Sequence, residues 1–127
     1  MKLNVKIKDI AFGTSIQDIT VPAILKKRIK CGLNYFDTVI GGEGFTPSMC
    51  TFFTGSPGAG KTTMMLSLAN SLQGNGAQVV FNTAEESLYQ IRGTVDRLNL
   101  RNGFVCGQDN HVPTLLKHAD EIRANNP

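Results

Sequence analysis

Apolar and polar residues alternate strictly over residues 2–8, with Leu3, Val5 and Ile7 on one side and Lys2, Asn4, Lys6 and Lys8 on the other. A period of two predicts a half-exposed strand. Residues 9–21 carry no clear period and read as a connection. Pro22 suits the first position of a short helix running through Arg28, because its missing N–H would be unpaired there in any case. Asn34 is a cap by residue type for a short helix carrying Phe36, Val39 and Ile40, which Gly41-Gly42 ends.

Met49-Cys50-Thr51-Phe52-Phe53-Thr54 has the apolar, β-branched and aromatic character of a buried parallel strand. Met64, Met65, Leu68, Ala69 and Leu72 then recur at helical spacing until Gly74-Asn75-Gly76 interrupts them. Residues 77–83 read as a second strand. Glu85-Glu86-Ser87 introduces a helix whose apolar positions, Leu88, Ile91, Val95 and Leu98, are three and four apart. Phe104-Val105-Cys106 reads as a third strand. Pro113 suits the start of a last helix with Leu115, Leu116, Ala119 and Ile122 facing inward. Strands alternating with helices imply a parallel sheet covered on both faces, so the class is α/β.

Composition narrows the field. The 127 residues suit one domain, and 41% hydrophobic with 18% charged residues is a globular balance. No run approaches ~20 apolar residues, and the N-terminus lacks the apolar core of a signal peptide, so a cytoplasmic protein without a membrane span is expected. Cys31, Cys50 and Cys106 are odd in number and form no CxxC pair, which argues against disulfides and a zinc site. A net charge of +3 is compatible with nucleic acid without arguing for it.

The chemistry-bearing segment lies between the predicted strand at 49–54 and the helix after it. Gly55-Ser56-Pro57-Gly58-Ala59-Gly60-Lys61-Thr62 matches G-x-x-x-x-G-K-[ST] at every fixed position. Its glycines admit backbone dihedrals closed to other residues and let the chain approach phosphates closely. The N–H groups of residues 58–63 converge on phosphate oxygens, aided by the positive end of the following helix. Lys61 reaches the β- and γ-phosphates, and the Thr62 hydroxyl ligates Mg²⁺. Thr63 adds a hydroxyl and an N–H toward the α-phosphate. ATP and Mg²⁺ are the expected cofactors. The competing reading is a glycine-rich turn between a strand and a helix.

Three ordered blocks carry a family resemblance. Arg28-Ile29-Lys30-Cys31-Gly32, Phe36-Asp37 and Ile40-Gly41-Gly42 look like an "R-x-x-T-G … L-D … L-G-G-G" lead-in. The loop at 56–63 and Val79-Val80-Phe81-Asn82-Thr83-Ala84-Glu85-Glu86-Ser87, similar to a strand ending in "G-E-E-S", complete the set. Together they resemble the RecA-type ATPases, especially the RadA/Sms branch and its phage relatives, over roughly residues 22–123. The DnaB-type helicases and KaiC-type ATPases share this core, and Glu-Glu-Ser favours RadA-like or KaiC-like relatives. Cys31 stands where the branch has Thr, and Ser48 where it has Gly. The branch's four-cysteine zinc knuckle has no counterpart here.

The resemblance implies a RecA-like P-loop fold and the ATP-binding part of a DNA-dependent ATPase of recombination, repair or replication. It also implies an oligomer working on single-stranded DNA. Glu85 maps to the residue that polarises the attacking water, with Glu86 in support. Acidic residues in a helix's first turn are also stabilised by its dipole, by about 0.3–1 kcal/mol, so the residues alone leave both readings of Glu85 open. The family's second metal-site motif, an apolar strand ending in Asp, belongs after the last helix, where this sequence reaches Pro127. Residues 1–21 are therefore expected to form an N-terminal strand and connection, and residues 22–127 the N-terminal part of a core incomplete at its C-terminus. Later strands of such folds insert between the strands at 49–54 and 77–83, so these two are not expected to be neighbours.

Other readings stay open. A nucleotide-binding sensor or assembly module without turnover needs only the loop. A small-molecule kinase also uses Gly-Ala-Gly-Lys-Thr-Thr, but it needs an arginine-rich lid that is not found here. Lys26-Lys27-Arg28-Lys30 is a basic cluster suited to nucleic-acid phosphates or to a solvated face. Arg92, Arg97 and Arg101 carry no assigned role. His111 and His118, without companion ligands, read as surface or capping residues, and Met64-Met65 as core filling.

Overall fold

The computed structural model describes residues 9–125; the alternating segment at 2–8 lies outside them. Among the described residues the helical periodicities become α1 (Ala23–Lys26), α2 (Asn34–Val39), α3 (Lys61–Gly74), α4 (Leu88–Arg97) and α5 (Val112–Asn125). Two strands, β1 (Val80–Asn82) and β2 (Val105–Gly107), pair in parallel with Val80 opposite Val105 and Asn82 opposite Gly107. With α4 as the crossover they form one βαβ unit, which gives the chain its α/β class. The fold is of the RecA-like P-loop kind, although the strands are shorter than the apolar runs that announce them.

The core sits where the lead-in packs on α3. Cys31, Phe36 and Leu68 are buried together, with Leu33, Ile40, Phe45, Met65 and Leu72 against them. Phe36 stacks between Phe45 and Phe53, each ring centroid 5.5 Å from its own, a spacing favourable for offset aromatic pairs. Ile29 and Phe45 exchange backbone hydrogen bonds of 2.9 and 2.7 Å. A side chain at Gly44, whose φ is 96°, would collide with the Ile29 carbonyl, so this close backbone approach requires glycine. Ser71 Oγ donates to the Cys31 carbonyl, and Asn75 Nδ2 donates to the Lys30 carbonyl at 3.1 Å. The lead-in loop is thus tied to the outer turns of α3.

Several sequence expectations are corrected. Residues 49–54 form no strand: they have no ladder partner among the described residues, and Phe52 is 89% exposed. A strand exists only when a neighbour takes its backbone groups, and β1 pairs with β2 instead. Only Phe53 of that run reaches the core, through its stack on Phe36. Asn34 is the first residue of α2 rather than its cap; Leu33 occupies the cap position and makes no side-chain capping bond. Pro22 likewise caps α1 from outside, and α1 ends at Lys26 rather than Arg28. The segment at 9–21 holds one 3-10 turn, Ile16–Asp18.

Glu85 and Glu86 precede α4 rather than forming its first turn, because Ser87 takes the cap. On α5, Leu115, Ala119 and Ile122 are half-buried, but Leu116 is 43% exposed. Met64 is exposed while Met65 packs on the core, so the methionine pair is split by the helical turn between them. Asn99, at φ 57°, ends α4: its N–H reaches the Asp96 carbonyl, and the Leu100 N–H reaches the Val95 carbonyl. This is a Schellman ending with Asn in the left-handed position.

Candidate functional site

Pro57 and Gly58 decide the shape of the loop before α3. The Ala59 N–H closes on the Ser56 carbonyl at 3.1 Å, and Gly58 between them has φ 79°. Pro followed by a residue with positive φ is the pattern of a type II turn. Gly60, at φ 87°, then caps α3 in the left-handed region, and Lys61 is the first helical residue. Nothing stands within 4 Å of where a Cβ would project from Gly58 or Gly60. The N–H groups of Gly58, Gly60, Lys61, Thr62 and Thr63 meet no protein acceptor among the described residues. Gly55–Gly60 are exposed throughout. The result is an open cradle of unpaired donors at the positive end of a helix, which suits a polyphosphate.

Lys61 Nζ donates to the Gly55 carbonyl across the loop. A Cβ on Gly55 would stand 3.3 Å from Lys61 Cδ, so glycine there leaves the lysine stem its path. Thr62 and Thr63 are half-buried, and Thr62 Oγ1 donates to Glu86 Oε1 at 2.9 Å. A hydroxyl and a carboxylate at the mouth of a phosphate cradle are hard oxygen donors of the kind Mg²⁺ takes alongside phosphate and water. The residues present therefore fit ATP with Mg²⁺. No group of three or more His, Cys, Asp and Glu among the described residues could hold a metal by itself.

The sequence singled out two adjacent glutamates, and the structure separates them. Glu86 reaches Thr62, whereas Glu85 is exposed with no hydrogen-bond partner among the described residues. Thr83, which the sequence reading passed over, is 8% exposed and bonds both backbone groups of Glu86. Nothing in its residue type announces this, since the contact depends on the turn at 83–86. Asn82 was missed as well. Its Nδ2 donates to the Asp109 carbonyl at 2.8 Å and its Oδ1 accepts the Asp109 N–H at 2.9 Å.

Asp109 Oδ2 in turn meets His118 Nδ1 at 2.7 Å, and His111 Nδ1 meets Thr114 Oγ1 at 2.8 Å at the start of α5. Arg92 pairs with Asp96 along α4. Among the described residues, a cavity of about 390 Å³ lies between α4 and β2, with Ile91, Val95 and Phe104 in its wall, and another of about 340 Å³ is bordered by Asn82, Asp109 and His118. Neither includes the loop. No helix among the described residues is long and apolar enough to cross a membrane.

Comparison with known proteins points the same way as the cradle. The family model described as "ATPase: KaiC" matches residues 29–101. The DNA repair protein RadA of Treponema pallidum is 42% identical over 74 residues, covering 58% of this chain and 15% of that protein. RadA of Bacillus subtilis is 31% identical over 99 residues, covering 72% of the chain and 21% of the relative. RadA of Mycobacterium tuberculosis is 37% identical over 89 residues, covering 70% and 17% respectively. The chain thus spans about a fifth or less of the length of these relatives. No solved structure matches it.

Proposed function

The chain belongs to the KaiC ATPase family, and from that membership we propose that it is the ATP-binding part of a DNA-dependent ATPase of recombination, repair or replication. The observation that carries the reading is the open cradle at Gly58–Thr63, with Lys61 and the Thr62–Glu86 pair at its mouth. Lys61 leaves the Gly55 carbonyl to neutralise charge on the β- and γ-phosphates, while the free N–H groups of the cradle hold their oxygens. Thr62 would supply a ligand to Mg²⁺, which when bound would add charge neutralisation. Glu85, which precedes the Glu86 that reaches Thr62, orients the attacking water, and Glu86 supports it. Catalysis of this kind is positioning and electrostatics rather than covalent chemistry.

Single-stranded DNA as a partner and a homo-oligomeric working form are part of this proposal. The names of the RadA relatives support DNA repair as the setting. The exposed Lys26-Lys27-Arg28-Lys30 cluster offers charge suited to a phosphate backbone. A second reading, a nucleotide-binding module without turnover, rests on the cradle alone.

Calorimetric titration with ATP and Mg²⁺, run beside phosphate release with and without single-stranded DNA, tests both readings. Saturable binding that Lys61→Ala abolishes, with phosphate release that Glu85→Gln abolishes while sparing binding, is the expected result. Binding without release selects the second reading. A wild-type chain that binds no ATP overturns both.

A further inference from the structure

Glu85 and Glu86 are neighbours in sequence but not in environment, and Thr83 makes the difference. The Thr83 hydroxyl accepts the Glu86 N–H at 3.1 Å and donates to the Glu86 carbonyl at 3.0 Å. Both backbone groups of Glu86 therefore close on one side chain. Thr83 is itself held at the end of the parallel pair, its N–H donating to the Gly107 carbonyl at 3.1 Å. On the other side, Ser87 forms a capping box with Gln90, with bonds of 3.0 and 3.2 Å. The backbone of Glu86 is thus pinned from both directions, which leaves only its side-chain torsions free. Those torsions bring Oε1 to 2.9 Å from the Thr62 hydroxyl.

We propose that Thr83 is a positioning residue that seats the Glu86 carboxylate on Thr62, so that Glu86, and not Glu85, is the carboxylate that orients the magnesium-ligating hydroxyl. A hydroxyl that donates its proton to a carboxylate presents its lone pairs elsewhere, free for a cation. The carboxylate also adds negative charge beside that cation and fixes the ligand's direction, as outer-shell partners of metal ligands do. This inference rests on the nucleotide-binding reading above and deepens it by dividing the two glutamates between distinct tasks.

The test is the Mg²⁺ dependence of ATP binding by the full chain, measured by calorimetry across a Mg²⁺ series and once in EDTA. Glu86→Ala and Thr83→Val are each expected to raise the Mg²⁺ concentration needed for tight binding by about 10–100-fold, with ATP affinity in EDTA unchanged. Thr83→Ser, which keeps the hydroxyl, restores the wild-type dependence, and Glu85→Ala never loses it. Wild-type Mg²⁺ dependence in Glu86→Ala, or its loss in Glu85→Ala, overturns the inference while leaving the nucleotide reading intact. Unchanged affinity in EDTA reports that the cradle is still formed. If Thr83→Val does not fold, Glu86→Ala decides alone. A wild-type chain that binds no ATP in either medium overturns the nucleotide reading and this inference with it.

Discussion

Asp37 reaches back from α2 to Cys31, whose N–H donates to Oδ1 at 3.0 Å, and its second oxygen takes the Gly32 N–H at 3.2 Å. The carboxylate thereby closes the lead-in loop that packs on α3. Donation from Cys31, the largest influence, holds Asp37 below the usual aspartate range against the opposing effect of its desolvation.

Folding lowers the pKa of Asp37, so its contribution to stability is complete above the unfolded value of about 3.9 and is lost as pH falls from there through the folded value. The melting temperature of the wild type should drop through that window. Asp37→Asn should be less stable at neutral pH and should show a shallower acid limb. Parallel acid limbs for the two proteins would separate Asp37 from the effect.

Ser48 adopts φ 62° where the RadA/Sms branch carries Gly. The left-handed region costs an L-residue roughly 1–2 kcal/mol, and glycine removes that cost at the expense of a looser unfolded chain. Ser48→Gly should therefore stabilise by about 0.5–1 kcal/mol, read as a higher urea midpoint with unchanged slope. A lower midpoint would mean that the serine side chain contributes more than its strain.

Ser87→Ala removes the hydroxyl that takes the Gln90 N–H and opens the capping box of α4. A loss of about 1 kcal/mol is expected for such a cap, measured by denaturant unfolding. Ser87→Asp, which keeps an acceptor at the cap, should recover most of it.

Cys31 is fully buried, with Sγ accepting the Leu33 N–H at 3.4 Å, while Cys50 and Cys106 are exposed. Burial, the largest influence, raises the Cys31 pKa. Its neutral thiol is therefore favoured by folding, and this contribution is lost as pH rises from the unfolded value of about 8.5 through the raised folded value. An aromatic disulfide reagent should titrate the two exposed thiols of the native chain and Cys31 only after unfolding. Fast reaction of all three in native buffer would contradict the packing of the lead-in on α3.

Much of this molecule is local, and local chemistry is readable in the order of residues. The cradle depends on Pro57, Gly58 and Gly60 taking dihedrals that their own covalent structure favours, so its position and donors follow from the motif. The helices α3 and α4 follow from three- and four-residue spacing, and α3 stops at the Gly74-Asn75-Gly76 that interrupts its pattern.

What tertiary structure decided are the contacts between segments far apart in sequence. Residues 49–54 have strand character, but a strand needs a neighbour, and the neighbour of β1 is β2. Two adjacent glutamates look alike in a sequence. Thr83 pins the backbone of one of them and brings it to a hydroxyl 24 positions earlier in the chain. The Asn82–Asp109 pair is of the same kind. Side-chain hydrogen bonds have no period, so they become visible only when packing has set the distance between their partners.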